Sequence, residues 1–262
     1  MGILAAVFAR HLLAAILLLL SGLAAAQDNY EIQVYGADTV KQGQTMFELH
    51  SNYTFRGSRS AVNGVKPTQD ALHETLEITH GWSDFFETGF YFFTSYRHDE
   101  GWDYVGSHIR PRVRVPDSWN WKLGVSLSAE VGFQRRDFSG DTWTAELRPI
   151  IDKQIGPWYF AFNPALDDSL AGHNSDRGWT LSPNVKASYD TTKKITVGIE
   201  YYGTLGPVSE YDPFDAQQHQ LFPSLDLNVG EAWEINAGIG FGLTLSTDRF
   251  IAKIIIGRRF SF

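Results

Sequence analysis

Apolar and polar residues alternate along the chain with a period of two from about residue 44 onward. In residues 47–55 the apolar residues Phe47, Leu49, Tyr53 and Phe55 fall on alternate positions, which share one face of a strand. The intervening parity carries Glu48, His50, Asn52 and Thr54. Similar alternation recurs in 105–115, where Val105 and Ile109 share the apolar parity, and in 123–133 and 233–243. A period of two is typical of strands with one apolar and one polar face, so the pattern predicts an all-β fold.

Turn-forming residues divide this region into about twelve strands. We predict them near 45–56, 72–82, 85–97, 104–115, 121–136, 142–155, 158–167, 179–190, 194–204, 217–228, 232–244 and 249–260. Short connections alternate with longer, polar ones, apart from the short connection at 245–248. Short periplasmic turns and longer external loops are typical of outer-membrane barrels. The pattern therefore predicts a transmembrane antiparallel β-barrel of about 12 strands over residues 44–262, with both termini on the periplasmic side.

Aromatic residues cluster at the predicted short turns, as at Trp82, Trp119 and Trp158. Such rings prefer the membrane interface, so they predict an aromatic girdle at the periplasmic edge. The last strand carries aromatics at Phe260 and Phe262, a pattern similar to the signal read by the barrel-insertion machinery. Outer-membrane lipid and that machinery are therefore expected partners. Arg258 departs from the pattern because it falls on the outward, apolar parity.

A soluble β-sandwich or a lipocalin-like barrel also alternates, with its apolar face inward. Twelve strands of ten or more residues are long for a sandwich, whose strands commonly have about 5–6 residues. Neither soluble fold explains the aromatic girdle, the terminal Phe262 or the unequal loops. The membrane barrel is therefore the favoured fold.

The first 26 residues have the pattern of a secretory signal peptide. Arg10 precedes an apolar run over residues 12–20, and small residues at Ala24 and Ala26 predict cleavage before Gln27. The run is shorter than the ~20 residues that a spanning helix needs. Residues 27–43 are predicted to be a periplasmic N-terminal stretch ahead of the barrel. Export and the barrel pattern together predict a location in the bacterial outer membrane.

Composition narrows the function classes. The net charge is −8 and no basic stripe is present, so nucleic acid is not an expected partner. The chain has no cysteine, which excludes disulfides and thiolate metal sites. The mean hydropathy of −0.21 fits strands of which only half the positions are apolar.

The side chains at the polar positions of the strands would line the lumen, and many of them are charged. The predicted charge ladder consists of Arg110, Arg112, Arg114, Glu87, Glu130, Glu146, Arg148, Glu48, Lys186 and Glu200. Charges inside a membrane protein need a partner or water. Two interpretations remain open: an ion-pair network that fills a narrow barrel, or a selectivity ladder in a water-filled channel.

Evidence for catalysis is weak. The chain lacks a G-x-S-x-G nucleophile elbow, and its histidines are scattered. His73 and Glu77 share a parity, but a lone His/Glu pair is more typical of a hydrogen bond than of a metal site. We therefore predict no enzyme activity, no metal and no cofactor, and a membrane-embedded hydrolase is the weakest alternative.

Three stretches carry a resemblance to a known family: residues 108–112, residues 200–203 and the closing Gly257-Arg258-Arg259-Phe260. With the signal and the alternating barrel, they resemble the outer-membrane protein family associated with the meta-pathway of phenol degradation. The resemblance covers roughly residues 40–260 and implies a transporter or channel for small, often hydrophobic compounds.

The predicted function is passage of small solutes through the barrel, hydrophobic or aromatic compounds among them, with selectivity set by the lumenal charges. The alternative is a closed structural or surface-interaction barrel whose external loops bind a partner. Its candidate loops are 57–71, 168–178 and 205–216.

Overall fold

Residues 30–261, which the computed structural model describes, form a closed antiparallel barrel of twelve long strands. These are β1 (Gln44–Arg56), β2 (Ala71–Ser83), β3 (Phe86–Arg97), β4 (Gly101–Arg114), β5 (Gly124–Gln134), β6 (Asp141–Ile155), β7 (Trp158–Gly172), β8 (Thr180–Asp190), β9 (Ile195–Thr204), β11 (Gln218–Leu227), β12 (Trp233–Gly242) and β13 (Phe250–Ser261). The two-residue β10 (Gly206–Pro207) pairs with the first two residues of β8. Each long strand pairs with its neighbours in sequence, and β1 pairs with β13 to close the wall.

The structure confirms the predicted all-β, twelve-stranded fold. The signal peptide predicted over residues 1–26 and the terminal Phe262 lie outside the described residues. Among residues 30–261 no helix is long and apolar enough to cross a membrane. A short 3₁₀ helix at Asp117–Trp119 ends at Asn120, which has the left-handed conformation with φ 52°. It explains why β5 begins at Gly124 rather than at the predicted residue 121.

The wall is apolar outside and polar inside. In β1, Leu49 is 44% exposed, whereas the next residue, His50, is fully buried. The outward parity exposes further large apolar side chains on every side of the barrel, among them Phe90, Ile109, Leu127, Leu147, Phe162, Ile199, Ile239 and Ile254. A soluble barrel would bury these side chains. The exposed apolar belt is the surface that an outer-membrane barrel presents to lipid.

Aromatic side chains border the periplasmic edge of this belt, as predicted. Trp82, Trp119 and Trp158 are all about half exposed near the short turns. Arg258 lies on the outer surface, and its guanidinium packs 4.9 Å from the ring centre of Trp233 and 5.0 Å from that of Phe260. The two rings flank the guanidinium of an arginine close to the interface, where it can reach water at small cost.

One part of the predicted alternation is wrong. Val105 was expected on the outward parity with Ile109, but it is completely buried inside the barrel. The register between β3 and β4 shifts at this point, because Phe93 pairs with Gly106 and Thr94 pairs with Tyr104. A β-bulge of this kind adds one residue to a strand and reverses the side on which the following residues point.

The lipid-facing belt gives a direct prediction for stability. Val131 lies near the middle of β5 and is 42% exposed, so Val131→Arg places a charge in the apolar belt. We expect the free energy of unfolding in lipid vesicles, measured by denaturant titration, to fall by about 2–4 kcal/mol. Trp121→Arg, at the interface, is the matched control with an expected loss of at most about 1 kcal/mol. Equal small losses for both variants would contradict the assignment of this face to lipid.

Candidate functional site

The lumen contains most of residues 30–43, which we call the lumenal segment, and its last residues, 41–43, are exposed at the periplasmic end. Hydrogen bonds join it to the inner faces of β1, β2, β3, β4, β6, β7, β12 and β13. A chain that contacts strands all around a closed barrel lies within it. This differs from the periplasmic stretch that the sequence predicts for residues 27–43.

The segment is held chiefly through its backbone. The Tyr35 N–H donates to Oδ1 of Asn163 at 2.7 Å, and Nδ2 of Asn163 donates to the Tyr35 carbonyl at 3.0 Å. Arg112 donates to the carbonyls of Gly36 and Asp38 at 3.1 and 2.8 Å. These bonds satisfy an extended chain that has no neighbouring strand to pair with.

An apolar patch on the inner wall receives the segment. Ile32 and Val34 pack there, and both are buried. The wall side chains of the patch are Ala161, Tyr202, Phe222 and Ile251. Apolar side chains facing a water-filled lumen would be unfavourable, so their burial against the segment stabilises its position.

Tyr35 lies at the centre of a cluster of arginines. The guanidinium carbons of Arg110, Arg148 and Arg112 lie 4.8, 5.3 and 5.7 Å from the centre of its ring. Cation–π contacts of this kind contribute most where water is excluded. One aromatic side chain of the segment therefore joins three positions of the predicted charge ladder.

The ladder arginines of β4 form buried ion pairs with acids on β2 and β3. Arg110 Nη2 lies 2.6 Å from Oε1 of Glu77, and Arg110 Nη1 lies 3.5 Å from Oε1 of Glu87. Arg112 Nη2 lies 2.6 Å from the same Glu87 oxygen. Since Arg110, Glu77 and Glu87 are almost completely buried, none of these charges is left facing a wide water-filled pore.

A second buried network lies on the opposite side of the barrel. Glu200 accepts hydrogen bonds from Lys253 and from Tyr202, and it pairs with Lys186 at 3.2 Å. Lys186 also lies 2.8 Å from Asp226. Lys253 in turn donates to the Ile32 carbonyl at 2.9 Å, which connects this network to the lumenal segment.

The remaining ladder residues are distributed around the inner wall. Glu146 binds Arg148 through two hydrogen bonds of 2.6 Å, and Glu130 contacts His108 rather than the arginines of β4. Arg114 lies at the periplasmic end, where it contacts Asp38 and Asp117. Glu48 is buried on β1, directly opposite Glu77 of β2. The predicted ladder is therefore several local networks, not one row.

Two cavities lie between the lumenal segment and the external loops. The larger, of about 340 Å³, is lined by Tyr30, His73 and Phe138 and by residues of loops 57–70 and 243–249. The smaller, of about 280 Å³, is lined by Glu31 and Gln33 of the segment and by Arg148 and Asp167 of the wall. Both cavities share Gln134 and Asn174, so they adjoin each other on the external side of the segment.

Sequence reasoning missed the lumenal role of Tyr35, the ion pair of Glu77 with Arg110 and the ion pair of Lys253 with Glu200. A signal was present, because Ile251 and Ile255 lie on the inward parity of β13, alternating with Ala252 and Ile254. Apolar side chains on a lumenal face indicate that something inside the barrel covers them.

Comparison with known protein families and with curated proteins gives no match. Solved structures that share the fold include an outer membrane channel from Pseudomonas putida F1, with a TM-score of 0.58 and 13% identity over 88% of this chain and 100% of that chain. The KdgM porin has a TM-score of 0.52 and 10% identity over 83% of this chain and 99% of that chain. The NanC porin has a TM-score of 0.52 and 9% identity over 82% and 100%.

At these identities the comparison establishes the fold of outer-membrane β-barrels. The resemblance to the phenol-degradation family remains a prediction, because none of these structures is described by that pathway.

Proposed function

We propose that this protein is an outer-membrane channel for small solutes, in which the lumenal segment controls passage. One observation carries the proposal: a stretch of chain that forms none of the strand pairs of the wall lies in the lumen below two solute-sized cavities. A permanently closed barrel can be filled by the side chains of its own wall alone. A tethered segment held by hydrogen bonds and ion contacts can leave without disturbing a single strand pair.

The fold agrees with this proposal. The three structures compared above are a channel and two porins. Hydrophobic or aromatic cargo, which the family resemblance implies, is compatible with the larger cavity, where Val62, Phe138 and Leu245 contribute to the lining. The lumenal charges would then act on the polar part of such a solute, as ladder residues do in selective pores.

Conductance in planar bilayers tests the proposal. The purified protein is expected to give stepwise, ohmic currents at low open probability. Complete absence of steps at high protein concentration, both in the full-length barrel and in one lacking residues 30–42, would overturn channel function. That result would favour the closed structural barrel with partner-binding loops.

The charge ladder gives a second electrical prediction. In a salt gradient across the bilayer, Arg112→Ala should shift the reversal potential toward cation preference, since it removes a positive group beside Glu87. Arg135→Ala, in an external loop, is the control and should leave the potential unchanged. Because Arg112 also binds the segment, the comparison is repeated in the barrel lacking residues 30–42. If Arg112→Ala leaves the reversal potential unchanged both in the full-length barrel and in the barrel lacking residues 30–42, Arg112 does not determine ion selectivity.

A further inference from the structure

Three potential metal ligands converge inside the barrel on β1 and β2. Glu48 and His50 are two residues apart on β1, so both side chains point into the lumen. Glu48 is directly opposite Glu77 in the β1–β2 register. The exposed fractions of Glu48, His50 and Glu77 are 5%, 0% and 1%, which places all three beyond the reach of bulk water.

The facing atoms of this group lack hydrogen-bond partners. Both ring nitrogens of His50, Oε1 of Glu48 and Oε2 of Glu77 make no hydrogen bond to any of residues 30–261. Arg110 binds Oε1 of Glu77 at 2.6 Å and so leaves Oε2 directed at His50. Two carboxylates facing each other across neighbouring strands repel, and each buried unpaired polar atom costs free energy. A cation bound between Glu48, His50 and Glu77 would offset both costs, in addition to the charge that Arg110 supplies at Oε1 of Glu77.

The spacing of these atoms fits a metal ion. One ligand atom from each of the three side chains lies within 4.8 Å of the others, and Nε2 of His50 is 3.4 Å from Oε2 of Glu77. Two ligands at about 2.0–2.1 Å from a tetrahedral zinc ion are themselves about 3.3–3.4 Å apart. Imidazole nitrogens and carboxylate oxygens both bind zinc, and three such ligands leave the fourth tetrahedral position for water.

We propose that Glu48, His50 and Glu77 bind a divalent transition-metal ion of the zinc type, which joins β1 to β2 inside the lumen. The ion neutralises two buried carboxylates that the arginines of β4 do not fully compensate. Calcium and magnesium ions are not expected to bind this site. Both prefer coordination by oxygen atoms alone, whereas His50 offers a nitrogen. The site does not depend on whether the barrel conducts.

Zinc titration of the full-length barrel tests this site. Untagged protein is purified in detergent, treated with a chelator, freed of it, and titrated calorimetrically with ZnCl₂, MgCl₂ and CaCl₂. We expect one Zn²⁺ per chain with a Kd in the micromolar range or below, and no saturable binding of Mg²⁺ or Ca²⁺. His50→Gln and Glu48→Gln should each weaken Zn²⁺ binding by at least about tenfold. Even the mutation of a residue that only hydrogen-bonds to a metal ligand typically lowers metal affinity by about tenfold or more.

His73→Gln is the matched control. His73 is also a buried lumenal histidine of the β1–β2 region, with 2% exposure, but it packs against Tyr30 and is not in the group. This variant should bind Zn²⁺ with the affinity of the wild type, and heat-dependent gel mobility verifies that every variant is folded. Absence of saturable Zn²⁺ binding in the wild type would overturn the proposal. Unchanged affinity in folded His50→Gln protein, or an equal loss in His73→Gln, would overturn it as well.

Discussion

Deleting residues 30–42 should raise the single-channel conductance of the barrel several-fold. The deletion removes the chain that packs on Phe222 and Ile251 and that accepts hydrogen bonds from Arg112 and Lys253. All twelve strands remain, because the segment forms none of the strand pairs that close the wall. Water then enters the lumen and hydrates the charges that the segment covered, so the barrel stays folded and gains a continuous polar route. Planar-bilayer recordings measure the change.

Two further proteins separate the effect of the segment from that of a shortened N-terminus. Replacing residues 30–42 by a Gly/Ser chain of equal length removes the specific contacts and should also raise conductance. Lys41→Ala changes a side chain that is exposed at the periplasmic end and should behave as the wild type. If deletion, replacement and wild type conduct equally, the segment does not obstruct passage.

Glu200→Ala is expected to be the most destabilising single substitution within the wall. Glu200 is 1% exposed and lies between Lys253 and Lys186. Removing it leaves Lys253 buried without a carboxylate, whereas Lys186 keeps Asp226. Loss of one partner of a buried ion pair costs about 3–5 kcal/mol. Denaturant unfolding in lipid vesicles should show a loss of this size.

The control for this substitution is Glu231→Ala, which removes an acid from an exposed ion pair with Lys41 in a periplasmic turn. It should change the free energy of unfolding by less than about 1 kcal/mol. Adding Lys253→Met to Glu200→Ala should recover part of the stability, because no unpaired charge is then buried. A small loss in Glu200→Ala, or no recovery in the double variant, would show that water already solvates this network.

The strands were predictable because each carries its own signal. A barrel wall with lipid on one side and polar groups on the other imposes a period of two, and the turn residues mark its ends. The bulge at Val105 escaped prediction since it depends on how β3 pairs with β4, which no single segment encodes. The 3₁₀ turn at Asp117–Trp119 likewise depends on local backbone geometry rather than on the alternation.

The lumen was much less predictable than the wall. The alternation placed Arg110, Arg112 and Glu87 inside the barrel correctly. It gives neither the position of a side chain along the barrel axis nor the residue with which that side chain pairs. Polar and apolar residues also alternate over residues 31–35, but this pattern does not indicate what such a chain contacts. Tyr35 meets arginines from strands that are far apart in sequence, and only the closed barrel brings those residues together.

The position of the lumenal segment is the central claim, and thiol accessibility tests it most directly. The chain has no cysteine, so Ala37→Cys introduces a unique thiol at a position that is 2% exposed. In the folded barrel its reaction with a bulky, membrane-impermeant maleimide should be at least about 100-fold slower than that of Ser118→Cys in an exposed turn. This ratio corresponds to an opening free energy of about 3 kcal/mol. Equal rates for the two thiols would place residues 30–43 outside the lumen and contradict the account.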